Sequence, residues 1–500
     1  MIKKDTNIKK IRVRFAPSPT GYMHIGNLRS ALYSYLLAKK NGGQFLLRIE
    51  DTDRERFVAD GTKNILDSLY WAGIIPDEGV VLKNGVIVQS GDCGPYVQSE
   101  RLAVYQKYTD QLVNQGDAYY CFCTSERLSQ LREIQQANKL PTGYDGHCRE
   151  ISLDQAKQRV ANGDKFVVRM KMPKEGETKF VDAIKGEISI KNSLVDDQVI
   201  QKTDGFPTYH LAVVVDDHEM KITHAIRGEE WISSTPKHLQ LYQYFGWDAP
   251  QFAHLPLLLN ADKSKLSKRQ GDVAVGDYAK KGYLPEALIN FVAFLGWNPG
   301  DNRELFTLDE LVKEFKFEKV NKSGAVFNLE KLDWYNREYL RALPDDRLVE
   351  LARPFFEGRG TGDGGLMKAI ALEKRRVTTL AELPEAVGFV FELPDYKSDL
   401  LVWKKSNAAE AKENLIKLKA LLNNFGVQDW NKGNLEVKVG EWIKENGLTN
   451  GVVLWPLRVA LSGQENSPGP FEIAEALGKD ETLKRLGFAV NKISGKAFSI

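Results

Sequence analysis

Alternating and periodic apolar positions near the start of the chain predict a strand, a turn and a helix in succession. Residues 11–15 (IRVRF) alternate apolar and charged side chains, which is typical of a strand. Two prolines and Gly21 follow, and they exclude both a helix and a strand ladder. From His24 onward, apolar residues recur at helical spacing until Asn41 and two glycines end the pattern. We therefore predict a helix that begins near His24.

A second strand completes a βαβ unit with a predicted ligand site at its end. The run QFLLRI (44–49) is short, apolar and bounded by glycines and an acidic cluster. A strand that turns into a helix presents unpaired N–H groups, where nucleotide phosphates bind. His24 would add a donor, Gly26 would allow close approach, and Glu50 would face the same cleft. Taken alone, His24 and Gly26 fit a helix cap equally well, and residues 50–53 fit a solvated acidic turn.

A basic motif, KLSKR (265–269), stands far along the chain after an apolar stretch (254–259) that predicts a strand. By itself this motif is typical of a solvated basic loop. Two further apolar runs, TYHLAVVVDDHEM and KITHAIRGEEW, are predicted as parallel strands buried on both faces. They carry Tyr209 and Arg227, although an arginine in an apolar run is more often a partly exposed edge residue.

Between the two predicted half-sheets the alternation breaks. Residues 99–115 and 125–136 are predicted helices, and FVVRMKM and GEISI are predicted strands, so we expect an insertion into the sheet. After KLSKR the segment 275–297 is predicted to be helical, with Pro285 in a first turn. A glycine-rich hinge (358–365) precedes amphipathic helices with interleaved Trp, Arg and Lys, a pattern that suits unstacked nucleotides and ordinary helix packing equally well.

Composition narrows the class without identifying it. A chain of 500 residues with 42% hydrophobic content predicts several domains with full cores. The 69 Lys and Arg nearly balance the 67 Asp and Glu, so a nucleic-acid surface must be a local patch. No apolar run of membrane-spanning length and no signal peptide is recognised, and four cysteines are too few for a disulfide framework. We expect a cytoplasmic protein.

The motifs together resemble one enzyme family nearly from end to end. APSPTGYMHIGN and KLSKR are similar to the two ATP-binding signatures of class I aminoacyl-tRNA synthetases, and the wording around them resembles bacterial-type glutamyl-tRNA synthetases. Further segments fall in register: RIEDTDRER, GPYVQSERLAVY, DGFPTYHLAVVVDDHEMKITHAIRGEEW, KLDWYNREYLR and LWPLRVALSG. No single motif carries the identification.

The resemblance implies an α/β fold with a Rossmann-type parallel catalytic sheet, an α+β insertion, a helical stem-contact region and an all-α anticodon-binding region. The implied domains are residues 1–99 and 202–260 for the two catalytic halves, 100–201 for the acceptor-stem insertion, 261–345 for the KLSKR loop and stem contact, and 346–500 for the anticodon region. The implied partners are ATP with Mg²⁺, L-glutamate and tRNA(Glu), and we expect a monomer.

The resemblance also implies roles for single residues. The catalytic group is His24, Gly26, Asn27, Lys265, Ser267 and Lys268. The ATP-binding group adds Pro17, Thr20, Gly21 and Arg269. The glutamate-binding group is Arg14, Ala16, Ser18, Glu50, Tyr209 and Arg227. Arg14 is expected to hold the γ-carboxylate, Arg227 the α-carboxylate and Glu50 the α-ammonium.

Two positions depart from the family pattern. Asn27 replaces the histidine that gives the first signature its usual name, although an asparagine can still donate a hydrogen bond. Val213 stands where some members have an asparagine that helps to bind glutamate.

Three cysteines in the predicted insertion raise the question of zinc. Cys121 and Cys123 are two apart, and Cys148 follows, as in family members that bind zinc through Cys-x-Cys and then Cys-x-His. Here the last ligand is absent unless Glu150 or His147 replaces it. We therefore expect no bound metal and reduced thiols, with zinc as the alternative.

Three other functions stay open at this point, and a fourth is excluded. The enzyme could also glutamylate tRNA(Gln). A glutaminyl-tRNA synthetase is less favoured, because Ala16-Pro17-Ser18-Pro19 replaces the usual Pro-Pro-Glu-Pro and the C-terminal part is predicted to be helical. A short paralogue that modifies a tRNA base is excluded by length, and an inactive tRNA-binding protein is disfavoured by the retained His24, Gly26, Lys265 and Lys268.

Overall fold

The computed structural model describes residues 10–266, 274–357 and 363–495, which fall into two compact units. Met1–Ala279 and Pro285–Leu332 make up the first unit, and Lys280–Leu284 and Asp333–Ile500 make up the second. Most of the predicted glycine-rich hinge (358–362) lies outside the described residues. No described helix is both long enough and apolar enough to cross a membrane.

The first unit contains all the described strands and half of the helices. Its strands are β1 (Arg12–Phe15), β2 (Gln44–Leu47), β3 (Glu78–Lys83), β4 (Val86–Ser90), β5 (Ala118–Cys121), β6 (Val167–Met170), β7 (Glu177–Asp182), β8 (Gly186–Lys191), β9 (Val199–Gln201), β10 (His224–Gly228), β11 (Gln251–Leu255), β12 (Leu258–Leu259) and β13 (Ala325–Val326). Its helices are α1 (Ile25–Lys40), α2 (Gly61–Trp71), α3 (Leu102–Gln115), α4 (Ser125–Ala137), α5 (Leu153–Ala161), α6 (Tyr209–Glu219), α7 (Thr235–Phe245), α8 (Val275–Lys280), α9 (Pro285–Ala293) and α10 (Leu308–Glu314).

A six-stranded sheet forms the centre of this unit. Its order is β11-β10-β1-β2-β3-β4, and all neighbours are parallel except β3 and β4. The chain leaves β1 toward β2 on one side, while β10 and β11 continue the sheet on the other. This reversal makes the carboxyl ends of β1 and β10 a topological switch point, where ligands bind in open α/β sheets. The predicted Rossmann-type fold is confirmed.

Helix α1 begins and ends where the sequence pattern predicts. The His24 side chain caps it by accepting a hydrogen bond from the Asn27 N–H at 3.3 Å, which satisfies one of the unpaired donors of the first turn. Its buried face, which includes Leu28, Leu32 and Leu36, lies against the sheet. Asn41 ends the helix, and Gly42 continues with φ of 59°, a conformation that favours glycine.

The predicted insertion is present between α3 and α6. Strands β5, β6 and β9 form a separate antiparallel sheet, and β7 pairs with β8 in a hairpin. The hairpin is tied back to the main sheet, because the Ala183 N–H donates to the Phe252 carbonyl on β11 at 2.9 Å. The insertion is therefore hydrogen bonded to the six-stranded sheet.

One prediction about the second half-sheet is wrong. TYHLAVVVDDHEM forms helix α6 rather than a strand, and Tyr209 is its first residue. Every residue from Leu211 to Asp217 is buried, so the helix has no polar face to give it a 3.6-residue period. A run of this kind cannot be distinguished from a buried strand by periodicity. The second run does form a strand, β10, and it is central rather than an edge.

Two other segments are divided where a single element was expected. Pro256 lies between β11 and the short β12 in the apolar stretch 254–259. The helical segment after KLSKR is split into α8 and α9, since Gly282 has φ of 79° and Pro285 is the first residue of a new helix.

The second unit is all helical in its described part. Helix α11 (Leu329–Ala342) runs across the boundary between the units. The remaining helices are α12 (Asp345–Ala352), α13 (Asp363–Glu373), α14 (Leu383–Ala386), α15 (Gly388–Phe391), α16 (Ala408–Asn423), α17 (Lys432–Glu445), α18 (Asn450–Ser462) and α19 (Pro470–Ile493). Leucine and valine side chains of α16, α17, α18 and α19 form its core. Gly478, with φ of 78°, kinks α19.

Candidate active site

A single cavity of about 980 Å³ opens at the carboxyl ends of β1, β2 and β10. Many of the residues predicted from the sequence line it: Arg14, Ala16, Pro17, Ser18, Thr20, His24, Gly26, Asn27, Glu50, Tyr209, Arg227 and Lys265. Gly21 and Val213 do not line it, and Val213 is buried in α6. Ser267, Lys268 and Arg269 lie outside the described residues.

His24 and Gly26 form one structural feature at the start of α1. Because Nδ1 of His24 accepts the capping hydrogen bond, the proton of a neutral ring resides on Nε2, which makes that atom a donor. A Cβ atom on Gly26 would lie 3.0 Å from Cε1 of His24 and 3.1 Å from Nδ1. The glycine therefore makes room for the imidazole that caps the helix. The capping role is observed, and it does not conflict with the predicted donor role, because the cap uses Nδ1 and not Nε2.

The segment that carries the KLSKR motif begins beside this helix. Leu259 and Lys265 form an antiparallel bridge, and the Leu266 N–H donates to the Leu258 carbonyl at 2.9 Å. Lys265 and Leu266 both line the cavity. Beyond residues 267–273, Ala274 forms a bridge with His24 itself. The two signatures, more than two hundred residues apart in sequence, thus border one cavity.

Arg29 anchors this segment and was not predicted. It lies on α1, is buried, and donates to the Leu295 carbonyl at 3.0 Å and to the Pro256 carbonyl. No carboxylate within the described chain pairs with it, and burial lowers its pKa. Arg29 therefore fixes the start of the second-signature segment to the helix of the first.

On one side of the cavity, two buried arginines share one aspartate. Arg14 donates through Nε to Asp217 at 3.0 Å, and Arg48 donates through Nη1 to the same carboxylate at 2.8 Å. Burial would raise the pKa of Asp217, but the two guanidinium groups reverse this effect and hold it below its usual range. Arg14 also donates through Nη1 to the Ile226 carbonyl at 3.2 Å. Among the described residues, these bonds leave Nη2 to the cavity.

Glu50 extends the same network into the cavity. Its Oε1 accepts from Nη2 of Arg48 at 2.9 Å, while its backbone N–H donates to the Pro17 carbonyl at 3.0 Å. Burial raises the pKa of Glu50, partly offset by Arg48. The adjoining acidic residues have other partners, because Asp51 accepts from the backbone N–H of Ser99 at 2.8 Å and from its hydroxyl at 2.6 Å, and Asp53 pairs with Arg56. Glu50 therefore belongs to the buried arginine network, whereas Asp51 and Asp53 do not.

Arg227, on the neighbouring strand β10, is surrounded by uncharged groups. It donates through Nε to His254 Nε2 at 3.1 Å, through Nη1 to His238 Nδ1 at 2.9 Å, and through Nη2 to Thr235 Oγ1 at 2.9 Å. The Tyr209 hydroxyl lies 3.4 Å from Nη1. Arg227 is 7% exposed, and no carboxylate of the described residues lies within 4 Å of its guanidinium. It is a buried cation whose charge is not paired within this shell.

Sequence reasoning missed most of the residues that hold these arginines in place. Asp216 and Asp217 end the apolar run that was predicted to be a strand, and Arg48 precedes Glu50. Asp216 accepts from Arg101, Gln98 and Tyr105, and so fixes the end of α6 to the start of α3. Two adjacent aspartates in an otherwise apolar run were a usable signal, since buried carboxylates require cationic partners.

The three cysteines of the insertion do come together. The sulfur atoms of Cys121, Cys123 and Cys148 all lie within 4.8 Å of one another. Neither His147 nor Glu150 joins this cluster. Instead, the Tyr144 hydroxyl lies 3.4 Å from the sulfur of Cys121 and 3.5 Å from that of Cys123. A hydrogen bond from Cys148 lowers the pKa of Cys121, so the cluster favours one thiolate. Three sulfurs and one phenol oxygen fit the donor number of a tetrahedral zinc site.

The two units match two family models. The model for the catalytic domain of class I tRNA synthetases (E and Q) matches residues 10–334, and the model for an anticodon binding domain matches residues 347–490. The Rossmann-type sheet, the cavity at its switch point and the two signatures that border it agree with this match. The fold and the site thus define a class I aminoacyl-tRNA synthetase.

Full-length relatives narrow the class further. A glutamate–tRNA ligase of Finegoldia magna is 46% identical over 97% of this chain and all of its own length, and one of Clostridium tetani is 46% identical over 98% and 99%. A crystal structure of a glutamate–tRNA ligase from Elizabethkingia meningosepticum, in complex with its amino acid, covers 97% of this chain and 100% of its own, with a TM-score of 0.87 and 37% identity. The chain belongs to the glutamate–tRNA ligase family.

Proposed function

We propose that this protein joins L-glutamate to the 3′-terminal adenosine of tRNA(Glu) in two steps, through a glutamyl-adenylate, with release of pyrophosphate and then AMP. The observation that carries the proposal is the single cavity bordered by the His24 helix, the Lys265 segment and two buried arginines. The names of the relatives and the amino-acid complex of the Elizabethkingia meningosepticum enzyme support glutamate as the substrate.

In the first step the carboxylate of glutamate attacks the α-phosphate of ATP. The enzyme needs no nucleophile of its own, and it accelerates this step by positioning two anions and stabilising the charge on the phosphates. We assign the adenosine and α-phosphate side to the start of α1, with His24 Nε2 and the Asn27 side chain as donors and Gly26, Pro17 and Thr20 as its wall. Mg²⁺ that accompanies ATP would share the phosphate charge.

The second signature would bind the β- and γ-phosphates. Lys265 lines the described cavity and supplies one cation. Ser267, Lys268 and Arg269 lie outside the described residues, and their assignment rests on the sequence motif. In the second step, a hydroxyl of the terminal ribose, the 2′-OH by analogy with class I enzymes, attacks the adenylate.

The glutamate pocket lies between the two arginines. We assign Arg14, through Nη2, to the γ-carboxylate and Arg227 to the α-carboxylate, because guanidinium groups bind carboxylates in a fixed planar geometry. Glu50, whose Oε2 is not used by Arg48, would take the α-ammonium group. The Tyr209 hydroxyl can donate to a carboxylate, and Ala16 and Ser18 follow β1 along the same wall.

Aminoacylation of purified tRNA tests the proposal. The protein should charge tRNA(Glu) with glutamate and not with glutamine, and pyrophosphate exchange should be measured with and without tRNA. Charging of tRNA(Gln) with glutamate would identify a non-discriminating enzyme. Charging with glutamine alone would identify a glutaminyl-tRNA synthetase, and no charging would identify an inactive tRNA-binding protein.

A lysine substitution tests the nucleotide side. Lys268→Ala should retain folding and tRNA binding, but it should lower the rate of adenylate formation by about two orders of magnitude, or about 2.7 kcal/mol of transition-state stabilisation. Lys263→Ala is the matched control, since Lys263 is an exposed lysine of the same segment. A loss smaller than about fivefold for Lys268→Ala would remove this residue from the mechanism.

Zinc in the insertion is a second proposal, supported by the sulfur cluster and Tyr144. The residues that would hold the ion are Cys121, Cys123, Cys148 and Tyr144, and its role would be structural. Metal analysis of the purified protein decides it: about one zinc per chain, lost on Cys148→Ser, supports the site, and a content near zero favours reduced thiols.

A monomeric state and cytoplasmic location stay predictions, as do the assignments of residues 100–201 to the acceptor stem and 261–345 to stem contact.

A further inference from the structure

A continuous chain of hydrogen bonds runs behind Arg227 and ends outside the cavity in both directions. On one side, His254 Nδ1 lies 2.6 Å from Asp182 Oδ2, at the end of strand β7. On the other side, His238 Nε2 lies 3.1 Å from His210 Nδ1. Both His238 and His254 are at most 1% exposed, so water does not replace these partners. The order is Asp182, His254, Arg227, His238, His210.

The donors in this chain of hydrogen bonds fix the protonation states of the His254 and His238 rings. A guanidinium has only donors, so His254 Nε2 and His238 Nδ1 must both accept from Arg227. Both rings are therefore neutral, with protons on His254 Nδ1, which donates to Asp182, and on His238 Nε2, which donates to His210. Burial and the neighbouring Arg227 hold the pKa of His238 well below its usual range, and burial lowers that of His254.

Asp182 holds its end of the chain rigidly. Its Oδ1 accepts the backbone N–H groups of Ile184 at 2.9 Å and Lys185 at 2.8 Å, and the His254 N–H lies 3.1 Å from Oδ2. These bonds lower the pKa of Asp182 despite its burial. The carboxylate is therefore held in position as a hydrogen-bond acceptor. It permits only the His254 tautomer whose Nε2 carries no proton and can accept from Arg227.

We propose that His238 and His254, the latter oriented by Asp182, are positioning residues that aim Arg227 at a carboxylate of the amino-acid substrate without neutralising its charge. This inference rests on the proposed function. The two rings fix the direction of two N–H groups of Arg227, and Thr235 fixes a third. A protein carboxylate at this place would compete with the substrate for Arg227.

Paired variants separate an acceptor from a space-filling ring. His238→Leu removes the acceptor for Nη1, whereas His238→Asn places an oxygen near the position of Nδ1. We expect His238→Leu to raise the KM for glutamate at least about tenfold, the effect of one hydrogen bond to a charged group. The KM for ATP and kcat should change less than about twofold, and His238→Asn should recover most of the glutamate affinity.

Asp182→Asn provides an independent test at the other end of the chain. The two N–H groups at Oδ1 require the oxygen of the new amide, so its NH₂ group faces His254 Nδ1. The ring must then accept there and carry its proton on Nε2, which opposes the Nε–H of Arg227. The KM for glutamate should again rise about tenfold or more, with the KM for ATP unchanged. His224→Gln, on β10 but outside the cavity, is the matched control.

The outcomes separate this inference from the proposed function. If the wild-type protein does not charge tRNA with glutamate, the proposed function is wrong. If it does, and folded His238→Leu and Asp182→Asn both leave the KM for glutamate within about twofold of wild type, the positioning role is wrong. An equal loss in His238→Asn and His238→Leu also overturns it, because the ring would then matter for packing and not as an acceptor.

Discussion

Two neighbouring strands of the central sheet hold a buried arginine in opposite ways. On the β1 side, Arg14 is paired with Asp217, and Arg48 and Glu50 complete an alternating set of charges. On the β10 side, Arg227 has two imidazoles and a hydroxyl as partners. The first arrangement stabilises the fold, because each charge has a counter-ion. The second leaves a positive charge that a bound anion can satisfy.

The largest expected effect follows from removing the shared counter-ion. Asp217→Ala leaves Arg14 and Arg48 without a buried partner, so the free energy of unfolding should fall by about 3–5 kcal/mol. Denaturant unfolding measures this change. Asp67→Ala, which breaks an exposed pair with Lys63 on α2, should cost less than about 1 kcal/mol. Equal losses in the two variants would show that the buried network contributes no more than a surface pair.

Removing the unpaired arginine should affect binding more than folding. Arg227→Gln leaves no carboxylate of the described residues without its cation, so its effect on unfolding should be smaller than that of Asp217→Ala. The kcat/KM for glutamate should fall about 100-fold, or about 2.7 kcal/mol. Steady-state aminoacylation with glutamate as the varied substrate measures this decrease, and the same assay with ATP as the varied substrate measures the effect on ATP. A loss of stability as large as that of Asp217→Ala would contradict the contrast between the two arginines.

The smallest expected effect is a difference between the β10 side and the β1 side in how their contribution to stability depends on pH. Burial, with Lys237 and Arg227 nearby, lowers the pKa of His210 to about 4, while Asp196 opposes the shift. Since the unfolded chain binds this proton first, the contribution of His210 is complete above about pH 6.5 and is lost as the pH falls toward 4. The slope is at most about 1.4 kcal/mol per pH unit. The pKa of Asp217 is lowered, so the stability that it contributes on the β1 side is lost only below about pH 4.

Thermal unfolding of wild type and His210→Gln between pH 7 and pH 4 checks this difference. The variant should show a weaker decrease over that range. The pKa of Glu50 is raised, so its contribution to stability decreases as the pH rises just above the usual pKa of a glutamate. Because Glu50 is present in both proteins, its contribution cancels in the comparison. Parallel curves for the two proteins would mean that His210 does not carry the acid sensitivity.

The sequence predicted residues that line the cavity better than the residues that hold them in place. Residues next to a proline, a glycine or a helix start, such as His24 and Glu50, could be placed because local backbone rules act over a few positions. Asp182, His238 and His254 could not, because His238 and His254 reach Arg227 from two different elements, and Asp182 reaches His254 across 72 residues. Their partners are set by tertiary packing, which periodicity does not record.

The same limit explains the wrong prediction for α6 and the incomplete one for the cysteines. Residues 211–217 are buried on all sides, so no polar stripe distinguished a helix from a strand. The spacing brought Cys121, Cys123 and Cys148 together correctly, but the neighbour in space is Tyr144, four positions before Cys148, and not His147 or Glu150.

The attachment of the β7–β8 hairpin to β11 bears on how this enzyme could be dissected. Asp182, at the tip of that hairpin, reaches the ring that bonds to Arg227, so the inserted segment supplies part of the support behind the cavity. A fragment made by deleting the whole insertion would keep both signature segments but remove this support, and on the proposed assignment of Arg227 it should bind glutamate more weakly. Any excision that aims to preserve substrate selection should spare this hairpin.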